Sequence, residues 1–145
     1  AKGWNIVAPG DFAAGSWKAQ GWPCYPGKVT YAREFDVAEK APYYEVALGE
    51  WKGTVCEVLV NGRSAGIVYA EPYTVDVTEW FVAGRNRVEV KVVGSNYNLM
   101  GPLHAAHFKR ITPAFWRGVK EYPSGKDYVQ QDYGLMGDFT LAAGR

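Results

Sequence analysis

An antiparallel β-sandwich or barrel is the fold class this sequence predicts, on three observations. Apolar side chains alternate with polar ones at period two through the middle of the chain. Gly, Pro and Asn punctuate these runs at intervals of about 8–12 residues. No segment offers three consecutive turns with an apolar face at helical spacing.

The strands follow in order. Val29, Tyr31, Phe35 and Val37 share one parity, with Arg33 as the odd polar member. Tyr44, Val46 and Leu48 repeat the pattern until Gly49 ends it. Cys56, Val58 and Val60 run into Asn61-Gly62, a strong hairpin signal because both residues tolerate the positive φ of a type I′ turn. The return strand is predicted at 65–69. Pro72 interrupts, and Tyr73, Val75 and Val77 resume the alternation. A single helical turn is expected at 78–82, with Thr78 as its N-cap. Gly84-Arg85-Asn86 reads as a further turn, Val88, Val90 and Val92 as the clearest strand, and Phe139 and Leu141 as part of a last short one.

At 145 residues the chain has a single-domain length, enough to bury roughly two thirds of its unfolded surface. With no linker, repeat or low-complexity tract, residues 1–145 are expected to form one domain. Aromatic residues make up 15% of the chain and charged residues 21%. Rings at that density bury too much area for disorder. Sixteen basic against fifteen acidic residues leave a formal charge of +1, which gives no electrostatic reason for a nucleic acid or an anionic membrane as partner. No apolar run approaches the ~20 residues of a transmembrane helix. The start, Ala1-Lys2-Gly3-Trp4, lacks the pattern of a signal peptide, and a first residue other than Met fits a processed protein or an excised module. Cys24 and Cys56 allow one bridge in an oxidising compartment, but Cys56 alternates in phase with Val58 and Val60 and reads as a small buried hydrophobe.

Two stretches resist the strand pattern: 1–28, with Trp4, Trp17, Trp22 and Tyr25, and 95–133, with nine aromatic or histidine residues including Tyr97, His104, His107 and Trp116. Loops this long in a compact domain are functional or packed down over the core.

A set of short motifs carries a resemblance. Tyr31-Ala32-Arg33-Glu34-Phe35 is followed by Glu57-Val58-Leu59-Val60-Asn61-Gly62-Arg63, by Tyr73-Thr74-Val75-Asp76-Val77-Thr78 and by Asn86-Arg87-Val88-Glu89-Val90. In this order they resemble the sugar-binding β-sandwich domain of β-galactosidase-type glycoside hydrolases, a galactose-binding-domain-like fold. Gly94-Ser95-Asn96-Tyr97-Asn98, running on to Gly101-Pro102-Leu103-His104, is similar to the C-terminal version of that domain in bacterial α-L-rhamnosidase-like enzymes, as is Phe115-Trp116-Arg117-Gly118. Gly21-Trp22-Pro23-Cys24-Tyr25-Pro26-Gly27 resembles the lead-in segment of such domains. The similarity spans residues 20–141. It implies an all-β, antiparallel jelly-roll sandwich of about eight strands, attached to a secreted, cell-surface or periplasmic bacterial glycoside hydrolase. It also implies that the catalytic carboxylates lie in a different domain of the parent, and it guarantees no sugar site.

The residues carry no sign of an enzyme. Glycoside hydrolysis needs two carboxyl groups about 5–10 Å apart; Glu50, Glu57, Glu71, Asp76, Glu121, Asp127, Asp132 and Asp138 are available, but nothing in the sequence pairs them. Asp76 reads as a turn residue. No Gly-x-Ser-x-Gly, phosphate loop or Cys-His pattern occurs. His104 and His107 are three apart after Gly101-Pro102, a spacing that suits a shared metal only on a helix, so backbone-bonded structural histidines are expected. No cofactor is expected; a structural calcium suits sandwiches of this kind but has no acidic cluster behind it.

Carbohydrate binding is the sharpest reading. Sugar C–H faces pack on aromatic rings, and sugar hydroxyls take planar polar partners. Trp51, in Leu48-Gly49-Glu50-Trp51-Lys52-Gly53, is a stacking platform or a staple over the core; Trp116 beside Arg117 joins a ring to a bidentate donor. Trp22 and Tyr25, on a Pro- and Gly-stiffened loop, present rings or lid the core. Asn96, Tyr97 and His104 stand where the best strand ends; Asn96 and Asn98 alternatively close backbone turns. Trp80 and Phe81 are assigned to the core. The expected partners are a plant-type polysaccharide or oligosaccharide and the catalytic domain of the parent hydrolase, with the module itself a monomer. The alternative is a domain that braces its catalytic neighbour and has no ligand.

Overall fold

The computed structural model describes residues 10–103, 117 and 125–144. Nine strands form among them: β1 (Lys28–Val37), β2 (Tyr43–Leu48), β3 (Trp51–Lys52), β4 (Val55–Val60), β5 (Arg63–Val68), β6 (Thr74–Asp76), β7 (Gly84–Val93), β8 (Gly134–Leu135) and β9 (Phe139–Gly144). They build the expected antiparallel sandwich. One sheet has the order β1-β7-β4-β5 and the other β6-β2-β9, with β3 and β8 as a separate two-stranded ladder. The chain passes repeatedly between the sheets, so each alternating strand turns its apolar parity toward the facing layer.

That parity is the one expected. Val88, Val90 and Val92 of β7 and Cys56, Val58 and Val60 of β4 face Tyr44, Val46 and Leu48 of β2, and all nine are buried. Tyr44 stacks on Phe81 with ring centroids 4.5 Å apart. Arg33, the polar member of its strand's inner parity, sits at the sandwich edge. There it pairs with Asp138, donates to the Phe139 carbonyl at 3.2 Å and lies over the Phe139 ring. A charge can occupy an inward position on an edge strand because it meets a carboxylate there.

The Asn61-Gly62 hairpin forms with φ of +52° and +80° and joins Val60 to Arg63 in register. Its return strand starts two residues earlier than the periodicity suggests, since Arg63 and Ser64 already pair with β4. The turn expected at Gly84-Arg85-Asn86 is instead the start of β7. Asn86 is fully buried: its Nδ2 donates to the Val82 and Gly84 carbonyls, and its Oδ1 accepts from Val82 N and Asn61 Nδ2. The helical turn does not extend over 78–82. Thr78 bonds across to the Tyr44 backbone and back to Asp76, which leaves it no role as a helix cap, while Asp76 closes the turn as expected. Both cysteines are free, Cys24 exposed and Cys56 buried, so the bridge does not form. Burial pushes the Cys56 thiol up to about 12. Among the described residues no helix is long and apolar enough to cross a membrane.

Candidate functional site

The short ladder β3–β8 positions the site. Trp51 pairs with Leu135 and Lys52 with Gly134, in stretches that carry no alternation and read as connections from sequence alone. The ladder needs Gly134: with φ +135°, a Cβ there would stand 2.3 Å from the Gly15 carbonyl oxygen and 3.0 Å from the Trp17 ring. Thr54 ties the far side down, donating its N–H to Val93 O and its hydroxyl to Gly94 O.

These contacts open a cavity of about 520 Å³ at one end of the sandwich. Trp51 and Tyr73 meet edge to face on its wall, with centroids 5.7 Å apart. Tyr69 stands at its rim, 78% exposed. The polar lining is Lys52, Ser95, Gln131, Asp132 and Tyr133. Ser95 Oγ and the Tyr133 hydroxyl are 2.6 Å apart. Asp132 Oδ1 accepts from Ser16 at 2.6 Å and pairs with Lys18 at 3.2 Å. The Ser16 hydrogen bond and the Lys18 ammonium hold this carboxyl below the usual aspartate range. Lys52 pairs with the exposed Glu50 at 3.5 Å. The Trp51 Nε1–H is buried and has no acceptor among the described residues.

The other sequence-selected rings divide from this site. Trp22 and Tyr25 pack with Phe12 around Trp17, which is 1% exposed and donates from Nε1 to the Tyr31 hydroxyl at 2.7 Å. This cluster seals the sandwich under the N-terminal segment, the lid role weighed for the pair. The outer surface of the lid keeps a shallow apolar hollow at Trp22 and Tyr25. Asn96 is exposed and its carbonyl accepts from Leu99 N, opening the 3₁₀ segment Tyr97–Leu103; Tyr97 packs against the core. Asn98 is the buried member of that stretch. It grips Pro23 O, Gln131 O and Gln131 N, so it closes backbone between three segments. Arg117 is exposed. His104, His107, Trp116 and Trp4 lie outside the described residues.

Sequence reasoning missed Tyr69, Tyr73, Ser95, Gln131 and Asp132 as neighbours of Trp51. They come from four separate stretches, and only Tyr69 and Tyr73 sat in strands recognised from sequence. A larger hollow of about 560 Å³ lies between Phe12, β1 and Phe139, but Arg33, its strongest polar group, is already bound to Asp138 and the Phe139 carbonyl. Among the described residues no group of three or more His, Cys, Asp or Glu could hold a metal ion.

Comparison with known proteins agrees with the family resemblance in the motifs. No family model matches the chain. A protein of Formosa agariphila that carries the name beta-glucuronidase is 29% identical over 105 residues, covering 61% of this chain and 9% of that protein. The structure of a rhamnosidase from Novosphingobium sp. PP1Y superimposes with a TM-score of 0.58 at 25% identity, over 81% of this chain and 11% of that one. A Bifidobacterium dentium beta-glucuronidase, 24% identical, matches 55% of this chain and 14% of its own at a TM-score of 0.44. This chain spans about a tenth of the length of the first two. It is similar to one domain-sized segment of glycoside hydrolases.

Proposed function

We propose that this chain is a non-catalytic accessory domain of a secreted bacterial glycoside hydrolase and binds a plant-type polysaccharide or oligosaccharide in the Trp51 cavity. One observation carries the reading: an indole and a phenol stand edge to face in an open cavity, with an exposed tyrosine at the rim and an ammonium and a carboxylate beside them. Rings of this kind pack on sugar C–H faces at little entropic cost, and the charged groups bond hydroxyls. The cavity volume lies in the range of small-ligand sites, about 300–1,000 Å³.

A binding role without chemistry agrees with the charge state of the site. A glycosidase acid must hold a proton near neutral pH. Asp132, the carboxylate among the cavity's lining residues, is instead held below the usual aspartate range by Ser16 and Lys18, so it offers no acid at neutral pH. Affinity is expected on the order of micromolar to millimolar, because a well-hydrated ligand makes few apolar contacts. The test is calorimetry or affinity electrophoresis of the domain against xylan, glucan, mannan, pectin and galactan. Retardation by at least one supports the reading; unchanged mobility with all five overturns it.

A second reading, a brace without ligand, is favoured by Ile67 and Tyr69, which stand 62% and 78% exposed at the end of edge strand β5. A brace would bury that pair against its catalytic neighbour. Ile67→Lys would then weaken association with the parent's remaining chain, and no polysaccharide would retard the domain.

A further inference from the structure

The opposite end of the sandwich holds a second indole in a second cavity. β4 runs from the Trp51 end, at Val55, to Asn61 at the other, ~20 Å for its six residues. There the β4–β5 turn and the stretch between β6 and β7 enclose about 470 Å³, lined by Asn61, Arg63, Glu79, Trp80, Val82 and Arg85 among others. Trp80, assigned to the core by sequence alone, packs against the core half-buried beside fully buried Phe81 and also lines the cavity.

The frame around this indole is rigid. Trp80 N–H donates to Val77 O, and Trp80 O accepts from Asn61 Nδ2 at 3.2 Å. Asn61 is itself held by Arg87 N at 2.9 Å and by buried Asn86 at 3.0 Å. The charged groups around it are less engaged. Arg85, 74% exposed, is 3.8 Å from Glu34. Arg63 and Glu79 are exposed and form no ion pair among the described residues. Two guanidiniums and one carboxylate line the cavity; Arg85 pairs with Glu34 outside the lining, which leaves Arg63 and Glu79 to offset each other, so no strong net field favours an anion. A sugar ring, in contrast, can present C–H groups to the indole while its hydroxyls accept from a guanidinium and donate to a carboxylate.

We propose that the Trp80 cavity is a second saccharide site, taking a neutral sugar unit between the indole, Arg63 and Glu79. It works independently of the Trp51 cavity, and the two ends let one domain hold two glycan segments, with the avidity that follows when both belong to one polymer.

The test is calorimetric titration of the full chain with neutral trisaccharides (xylotriose, cellotriose, mannotriose), each too short to join the two ends, and with trigalacturonate. Expected are two equivalents of at least one neutral probe. Trp51→Ala should leave one equivalent, and Arg63→Ala/Glu79→Ala, both exposed positions, should remove the other by at least tenfold in affinity. In Trp51→Ala, the indole N–H and amide resonances of Trp80 and Arg63 should shift on titration. One equivalent that Trp51→Ala abolishes and the double variant leaves intact would overturn the second site and keep the first. Uptake of trigalacturonate alone at Trp80 would overturn the neutral-sugar assignment. No uptake of any probe would overturn the second site, while the first stands or falls with the polysaccharide panel.

Discussion

Replacing Trp51 by alanine and by phenylalanine separates a binding ring from a ring that only covers the core. Truncating a fully buried tryptophan costs about 3–5 kcal/mol. Trp51 is half-buried, so about 2 kcal/mol is the packing term, including its edge-to-face contact with Tyr73. Against this stands the buried Nε1–H, which has no acceptor among the described residues, a group whose desolvation costs about 1–3 kcal/mol and which the alanine variant relieves. The net destabilisation is therefore at most about 1 kcal/mol, a Tm loss of no more than about 2–4 °C for a domain of this size. Phenylalanine keeps a ring and removes the N–H, so its Tm should stay within about 3 °C of the parent. Binding should respond differently. A ring at the centre of a contact surface contributes about 1.5–3 kcal/mol, so alanine should weaken polysaccharide affinity about 10- to 150-fold, and phenylalanine only a few-fold. Differential scanning fluorimetry and calorimetry read the two quantities separately. An alanine variant with lowered Tm and unchanged affinity would refute the platform assignment. A phenylalanine variant destabilised by more than about 2 kcal/mol would refute the account of the buried indole N–H.

Other expectations follow from particular groups. Asn86→Ala should be among the most damaging single changes, lowering stability by about 3 kcal/mol in urea titration, because it removes a fully buried side chain's bonds to Val82 N and to the Val82 and Gly84 carbonyls; a loss under 1 kcal/mol would contradict this. With its thiol at about 12, Cys56 is ~10⁻⁴ ionised at pH 8 and also buried, so iodoacetamide should label one thiol, Cys24, in the native chain and two in denaturant. Native labelling of both, read by mass spectrometry, would contradict it. Asp132 ionises more readily folded than unfolded, so its contribution is fully present above about pH 4 and is lost as pH falls through the folded value. Asp132→Asn should therefore flatten the fall of Tm between pH 5 and pH 2, and an unchanged slope would remove the Ser16–Asp132–Lys18 link as its cause.

The core was legible because burial on two facing sheets imposes period two, and Val46, Val58, Val60, Val88, Val90 and Val92 obey it without exception. The hairpin was legible because only residues tolerant of positive φ suit its turn. The site was harder to read. Trp51 could be singled out as an indole between glycines, but β3 and β8 are two residues each, too short to show a period. Asn86 read as a turn residue because asparagine favours turns, whereas its side chain here replaces backbone partners inside a strand. Trp22, Tyr25 and Trp80 show the same limit: a ring on a loop has one composition whether it faces inward or outward.

What the chain's order of residues determined alone was the all-β class, the inner parity of each long strand, the Asn61-Gly62 turn and the resemblance to a glycoside hydrolase domain. These depend on local periodicity, on φ preferences and on short motifs, all of which are written in contiguous residues. Only the tertiary structure decided that Trp51 shares a cavity with Tyr69, Tyr73 and Asp132, that Trp22 and Tyr25 close a lid, and that Trp80 lines a hollow at the far end. Those outcomes depend on which distant segments meet, a matter of loop closure and packing between sheets that no single window of sequence contains.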